Sequence, residues 1–216
     1  MNLIKVPKLN SRLNSYLRKK LIVNTRSLST QKDSKENTPL TSQQKAMLSR
    51  MLRVDHAGEI GANYIYKGQL DVLKGKDVEP VIQHMWDQEK KHLSVLDDVL
   101  VKSRVRPSLL RPVWELAGYT LGVTTAMLGP QAAMACTEAV ETVIGNHYND
   151  QIRELAKLDH PEIERLIKVL QEFRDEELEH KETAVDLDAK GAPMYEVLNQ
   201  VIQVGCKAAI QVASRI

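Results

Sequence analysis

The segment Met85-Trp-Asp-Gln-Glu-Lys-Lys-His92 recurs 88 residues later as Phe173-Arg-Asp-Glu-Glu-Leu-Glu-His180. Both segments contain the pattern Glu-x-x-His, and side chains three residues apart lie on one face of an α-helix. The Glu and the His of each segment can therefore bind a metal ion as a pair. The alternative is a chance recurrence of solvated Glu and His residues. The shared frame, an apolar residue four positions before the Glu and an Asp two positions before it, argues against that alternative.

One further helical Glu precedes each pair. Glu59 lies 30 residues before Glu89, and Glu141 lies 36 residues before Glu177, which is the length of two helix arms and a turn. Two-metal sites of ferritin-like bundles take one Glu from each of two helices and a Glu-x-x-His pair from each of the other two. The sequence therefore predicts an all-α, ferritin-like four-helix bundle. The predicted metal ligands are Glu59, Glu89, His92, Glu177, His180 and Glu141, with Glu138 as an alternative to Glu141 that periodicity does not exclude.

Prolines and glycines separate the predicted helices. Thr41 and Gln44 form a capping-box pattern, which predicts that the first helix begins after Thr41 and ends before the turn at Gly75. Five more helices are predicted at about 80–103, 112–128, 131–157, 161–189 and 193–216.

Two of these predicted helices, 112–128 and 193–216, are unusually apolar, and we expect them to be additional helices for membrane or partner contact. The uncharged stretch 116–137 is long enough to span a bilayer. The Gly129-Pro130 step interrupts it and argues against a span. The alternative is that both helices only cover the bundle core.

Charge is distributed unevenly along the chain of 216 residues, whose formal net charge is +2. Residues 1–36 contain nine Lys or Arg and only two acidic residues, Asp33 and Glu36. This Arg-, Lys- and Ser-rich, weakly amphipathic composition predicts that 1–36 is a mitochondrial transit peptide and linker. Residues 41–216 are then the helical domain. Its acidic balance argues against nucleic acid as a partner.

Four carboxylates that converge in a bundle core need compensating positive charge, because burial and mutual repulsion oppose their ionisation. Two divalent cations would supply that charge. Carboxylate with imidazole suits iron or manganese better than zinc, and a reduced pair of iron ions could react with O₂. Asp87 and Asp175 are expected either to hold the second ring nitrogen of the ligand histidines or to be solvated. His56 is expected to be a hydrogen-bonded residue rather than a ligand.

Several motifs of residues 42–216 closely resemble the 5-demethoxyubiquinone hydroxylase family. They are Arg50-Met-Leu-Arg-Val-Asp-His-Ala-Gly-Glu-Ile-Gly-Ala62, Met85 to His92, Ala139-Val-Glu141, Asn146-His-Tyr-Asn-Asp-Gln-Ile152, and Phe173 to His180. The resemblance implies a ferritin-like fold and the six metal ligands named above, with Glu141 favoured over Glu138. It also implies that Arg50, His147 and Tyr148 belong to a catalytic polar network around the site.

The resemblance further implies a di-iron monooxygenase that hydroxylates demethoxyubiquinone with O₂, a late step in ubiquinone synthesis. NADH is the expected electron source. The expected partners are the polyprenyl quinone, a lipid-binding protein of ubiquinone biosynthesis and the biosynthetic complex. The expected location is the matrix side of the inner mitochondrial membrane, as a peripheral protein.

Two other functions compete with this hypothesis. A ferritin-type ferroxidase or iron-handling protein would share the ligand set, but the apolar stretch 112–137 opposes a soluble cage. A non-enzymatic helical scaffold would leave the Glu and His residues without a role, and iron content would distinguish it.

Overall fold

The computed structural model describes residues 39–216, so the predicted transit peptide at 1–36 lies outside the described residues. The described chain forms six α-helices and one short 3-10 helix, with no β-strand. The α-helices are α1 Ser42–Leu73, α2 Glu79–Ser103, α3 Arg111–Met127, α4 Pro130–Leu155, α5 Pro161–Asp186 and α6 Tyr195–Ala213. Of the described helices, none is both long and apolar enough to cross a membrane.

Helices α1 to α5 begin within one residue of their predicted starts, at local sequence signals. At the start of α1, the backbone N–H of Gln44 donates to Thr41 Oγ1 at 3.2 Å, and the Thr41 N–H donates to Gln44 Oε1 at 2.8 Å. This reciprocal pair confirms the capping box and satisfies two backbone donors that the helix itself leaves unpaired. Proline occupies the first or second position of α2, α3, α4 and α5, where its missing N–H is not needed.

The connection between α5 and α6 differs from the prediction. Helix α5 ends at Asp186, and the 3-10 helix Ala189–Gly191 follows it. Asp188 and Met194 both adopt left-handed backbone conformations, with φ of 63° and 52°. These two residues redirect the chain, so α6 begins at Tyr195 rather than at 193.

Glycines allow α3 to pack very closely against α1. A Cβ atom at Gly122 would collide with the carbonyl oxygen of Ile65, and one at Gly118 with the carbonyl oxygen of Gly61. On α1, a Cβ at Gly68 would lie 2.5 Å from the carbonyl oxygen of Tyr119. Because α3 turns its small residues inward, many of its larger apolar side chains lie on the opposite, exposed face.

Helix α6 packs against α4 and likewise leaves apolar side chains exposed. An apolar groove with a volume of about 390 Å³ lies between α3 and α6. Small residues of α1 and branched residues of α4 line it, among them Gly58, Ala62, Val140 and Ile144. The groove therefore reaches the seam between the two helices that carry Glu59 and Glu141.

Candidate metal centre

Four helices bring the six predicted ligands together in the protein interior. Helix α1 contributes Glu59, α2 contributes Glu89 and His92, α4 contributes Glu141, and α5 contributes Glu177 and His180. None of the six is more than 3 % exposed. These helices bury the ligands because each one turns its ligand-bearing face toward the other three.

The six residues form two overlapping groups of four. One group is Glu59, Glu89, His92 and Glu177, and the other is Glu89, Glu141, Glu177 and His180. Within each group, one ligand atom from every residue lies within 4.8 Å of the others. Glu89 and Glu177 belong to both groups, so their carboxylates are in position to bridge two ions.

Both imidazoles turn the same ring nitrogen toward the carboxylates. His92 Nδ1 lies 3.5 Å from Glu59 Oε2 and 3.4 Å from Glu177 Oε1. His180 Nδ1 lies 3.2 Å from Glu89 Oε1 and 3.4 Å from Glu177 Oε2. Nδ1 is therefore the atom that each histidine offers to a metal ion.

The second ring nitrogen of each histidine contacts a residue of the other repeat. His92 Nε2 lies 2.5 Å from Glu176 Oε2, and His180 Nε2 lies 3.1 Å from Gln88 Oε1. Each contact assigns the proton to Nε2 and leaves the Nδ1 lone pair for a metal.

Of the two alternatives expected for Asp87 and Asp175, the structure supports the solvated one, since neither residue holds these nitrogens. Asp87 accepts hydrogen bonds from Gln83 and Lys90 on the exposed face of α2, and Asp175 accepts from Arg174. Both aspartates recur in the repeated segments, but both face solvent.

The donor atoms fit a pair of cations. Buried polar atoms in proteins nearly always have a hydrogen-bond partner, yet several oxygens and nitrogens in this cluster make no contact with hydrogen-bond geometry. They are Glu59 Oε2, both carboxylate oxygens of Glu89, Glu177 Oε2, and Nδ1 of His92 and His180. Oxygen-rich donor sets with imidazole suit iron or manganese, so two divalent ions would satisfy these atoms.

The close approach of these buried side chains shifts their pKa values. Burial, together with the negative charge of Glu177, raises the pKa of Glu89 and of Glu141 well above 4.5. Burial opposes the ionisation of Glu177, but His180 and His92 outweigh it and lower the pKa of Glu177 to about 2. Burial also disfavours the His92 imidazolium, but Glu177 and Glu59 outweigh it and raise the pKa of His92 to about 11. Without metal, protons therefore compensate part of the carboxylate charge.

Two tyrosines hold the terminal carboxylates from opposite sides. Tyr148 on α4 donates a short hydrogen bond to Glu59 Oε1, and Tyr66 on α1 donates to Glu141 Oε1 at 2.8 Å. Burial and the neighbouring carboxylates raise the pKa of both phenols well above 10, so both stay protonated and act as donors. Tyr66 was not predicted. Each tyrosine follows the Glu of its own helix by seven residues, and this repeat was the available sequence signal.

The predicted network around the site is only partly present. His147 lies 3.5 Å from Asp55 and 2.9 Å from Gln151, and Gln151 donates to Asp55 at 2.6 Å. Arg50 does not join this network, because its side chain is exposed and makes no polar contact with any residue that the structure describes.

Two nearby residues have partners away from the cluster. His56 Nε2 contacts Asp97 Oδ1 at 2.9 Å, as expected for a hydrogen-bonded residue rather than a ligand. Both carboxylate oxygens of Glu138 accept from the Tyr195 hydroxyl at 2.9 Å. Glu138 therefore joins α4 to α6, and the cluster contains Glu141 instead.

The described chain is all-helical and buries four Glu and two His in one cluster. It therefore belongs to the class of helical proteins with a candidate two-metal centre. The family model described as "Ubiquinone biosynthesis protein COQ7" matches residues 46–213. The chain belongs to this family.

Similar curated proteins carry related names. A mouse protein named "NADPH-dependent 3-demethoxyubiquinone 3-hydroxylase, mitochondrial" is 53 % identical over 171 residues, which cover 79 % of each chain. "5-demethoxyubiquinone hydroxylase, mitochondrial" of Saccharomyces cerevisiae is 46 % identical over 190 residues, with 82 % of each chain covered. "3-demethoxyubiquinol 3-hydroxylase" of Rhodospirillum rubrum is 42 % identical over 186 residues, with 86 % of each covered.

Proposed function

We propose that this protein is a di-iron monooxygenase that hydroxylates a demethoxyubiquinone with O₂ in ubiquinone biosynthesis. The observation that carries the proposal is the buried cluster of four Glu and two His with unpartnered donor atoms. Family membership and the hydroxylase names of the relatives supply the substrate class. One oxygen atom of O₂ enters the quinone ring, and two electrons and two protons reduce the other to water.

In this proposal, Glu59 and His92 would hold one iron ion, and Glu141 and His180 would hold the other. Glu89 and Glu177 belong to both groups and would contribute to both positions. Iron bound at these residues would supply the redox chemistry for O₂ activation. The protein contributes fixed ligands and protonated tyrosine donors on the terminal carboxylates. These hydrogen bonds fix the orientation of the Glu59 and Glu141 carboxylates.

The electron source in this proposal is a reduced nicotinamide cofactor. The family resemblance implies NADH, whereas the names of several relatives specify NADPH. The assay below therefore uses each cofactor separately. We propose that Tyr148 holds Glu59 and that His147 connects Asp55 with the surface. Arg50 is proposed to act outside this network.

The polyprenyl quinone is proposed to reach the cluster through the apolar groove between α3 and α6. Groove residues Gly58 and Ala62 flank Glu59 on α1, and Val140 and Ile144 flank Glu141 on α4. An apolar groove lined by the helical neighbours of Glu59 and Glu141 suits a substrate with an insoluble tail and a ring that must approach the metal.

The exposed apolar faces of α3 and α6 flank this groove, and we propose that they rest on a membrane. Leu116 on α3 is 68 % exposed and Val204 on α6 is 66 % exposed. Interfacial binding scales with the apolar area that enters the lipid. The "mitochondrial" names of relatives favour a mitochondrial membrane, which we propose is the inner membrane, on its matrix side. A lipid-binding protein of the biosynthetic complex is the proposed partner at the same surface.

The proposal is tested by loading the protein anaerobically with Fe(II) and adding a demethoxyquinone, NADH or NADPH, and ¹⁸O₂. Mass spectrometry should detect a hydroxylated quinone with one ¹⁸O atom, and the Glu177→Ala variant should form none. Iron that is oxidised without any quinone product would instead identify a ferroxidase. A protein that binds no stoichiometric iron would identify a scaffold.

Membrane contact has its own test, which is flotation with phosphatidylcholine vesicles that contain or lack cardiolipin. Leu116→Glu and Val204→Glu should each reduce the floated fraction. Val101→Glu is the matched control, because Val101 is 78 % exposed on α2, away from the groove. Equal flotation of all three variants would contradict the assignment of this face.

A further inference from the structure

The two histidines of the cluster differ in the charge of the residue that holds their outer nitrogen. His92 Nε2 contacts the Glu176 carboxylate, and His180 Nε2 contacts the Gln88 amide oxygen. Glu176 and Gln88 occupy equivalent positions, each immediately before the bridging Glu of its own segment. The repeat is therefore symmetric in geometry and asymmetric in charge.

We propose that Glu176 and Gln88 are positioning residues that make the two metal positions unequal, so that the ion held by His92 would bind more tightly. This inference rests on the proposed metal centre. A hydrogen bond from a ligand imidazole to a carboxylate raises the basicity of the ligand. A charge-assisted hydrogen bond is also about twice as strong as a neutral one. The amide partner of His180 orients the ring without adding negative charge.

Other contacts of the two histidines are nearly balanced, so the outer partner is the main difference between them. Each Nδ1 lies within 3.8 Å of two or three cluster carboxylates, and both rings are almost fully buried. Glu177 contacts both rings at 3.4 Å. Each terminal Glu accepts one tyrosine hydroxyl. The Glu176 side chain is 31 % exposed, so water can stabilise its charge while its Oε2 holds His92.

A purely structural role for these residues makes a different prediction. If each partner only fixed the ring, then an amide would serve as well as a carboxylate, as it does at His180. Glu176→Gln removes the charge and keeps an acceptor oxygen of the same size. Gln88→Glu adds the charge at the equivalent position. The two substitutions therefore separate charge from geometry.

The experiment is a stepwise titration of the metal-free full chain with Co(II), followed by visible absorption. Two unequal steps are expected for the natural protein. Glu176→Gln should weaken the tighter step by about 10–100-fold, the usual effect of losing such a partner, and bring the two affinities together. Gln88→Glu should strengthen the weaker step. The doubly exchanged variant should restore two unequal steps with their order reversed.

The order is assigned with ⁵⁷Fe. One equivalent of ⁵⁷Fe(II) followed by one of natural iron should label the His92 position, and the Mössbauer spectrum should change when the order of addition is reversed. In the doubly exchanged variant the two spectra should be interchanged. Glu172→Gln, an exposed change on the same helix, is the matched control and should alter neither step. Circular dichroism and thermal unfolding check that each variant folds.

Three outcomes would overturn the inference. The first is a Glu176→Gln variant that keeps both affinities within about twofold of the natural protein. The second is a variant that weakens both steps equally, as a general disturbance of the cluster would. The third is a natural protein with two equal steps. A folded natural protein that binds no metal would instead overturn the proposed function itself, so the two failures are distinguishable.

Discussion

Glu89→Gln is expected to stabilise the metal-free protein and to weaken its stabilisation by metal. Glu89 has no exposed surface, and neither of its carboxylate oxygens has a hydrogen-bond partner. Burial and then repulsion from Glu177, Glu59 and Glu141 raise the pKa of Glu89 well above 4.5. The folded metal-free protein therefore holds a proton at Glu89 to higher pH than the unfolded chain does.

The magnitude follows from this proton. Each pH unit between the ordinary pKa of 4.5 and the working pH contributes about 1.4 kcal/mol to the free energy of protonating the carboxyl group. At pH 7, which is 2.5 pH units above 4.5, the upper limit is about 3–4 kcal/mol. Glutamine has the same shape and needs no proton, so we expect a gain of about 1–3 kcal/mol in the free energy of unfolding. For a domain of this size, Tm rises by about 2–4 °C per kcal/mol.

The pH dependence gives the sign of the effect. Well below pH 4.5, Glu89 is protonated in the unfolded chain as well, so folding requires no proton uptake there and the variant gains nothing. Above pH 4.5 the unfolded chain loses the proton and the folded chain keeps it. The advantage of Glu89→Gln should therefore grow from about pH 5 to pH 7.

The assay is thermal and denaturant unfolding of the metal-free natural protein, Glu89→Gln and the exposed control Glu172→Gln at several pH values. The control should change stability by no more than about 0.5 kcal/mol. Added Co(II) should raise the Tm of the natural protein more than that of Glu89→Gln, because the variant has lost a bridging carboxylate. A metal-free variant that is less stable than the natural protein at pH 7 would refute the argument.

Three further predictions follow. Metal binding should release protons and tighten as pH rises, because burial raises the pKa of two carboxyl groups of the cluster; calorimetry in buffers of different ionisation enthalpy measures this. Glu138→Ala should keep two bound ions per chain by elemental analysis, whereas Glu141→Ala should lose at least one, and the reverse result would refute the ligand assignment. Gly122→Ala should destabilise the fold by about 1–3 kcal/mol in denaturant unfolding, because the added Cβ collides with the backbone of Ile65. Gly145→Ala is the control: a Cβ at Gly145 has no other atom within 4 Å, so this change should be neutral or slightly stabilising.

Helix positions were predictable because their signals are local. The Thr41–Gln44 capping box and the prolines act within one turn of chain, and five of the six helices begin within one residue of their predicted starts. The all-helical fold was confirmed. The close packing of α3 on α1 was not foreseen, since Gly118 and Gly122 break up an apolar pattern in the sequence. Only the structure reveals that each accommodates a carbonyl oxygen of the facing helix.

Within the cluster, helix periodicity predicted which candidate ligands share a face. It did not predict which residues hydrogen-bond to those ligands. Glu89 and His92 share a face because they are three residues apart, and this follows from the helix alone. The partner of His92 is Glu176, which lies 84 residues away on another helix. Asp87 recurs in the sequence and was the natural candidate, but its helix turns it toward Lys90 and solvent. No spacing rule within one helix could have selected Glu176.

The polar contacts around the cluster cross systematically between the two halves of the chain. Each Glu-x-x-His segment holds the histidine of the other segment, and each tyrosine holds the terminal Glu of the other half. Neither half alone can therefore satisfy its own ligands. Because buried carboxylates without partners destabilise the fold, the cluster forms only when both halves are docked. Metal binding and the docking of the two halves are then thermodynamically coupled. A substitution that loosens the packing between α1 and α4 should therefore weaken metal binding even where it contacts no ligand.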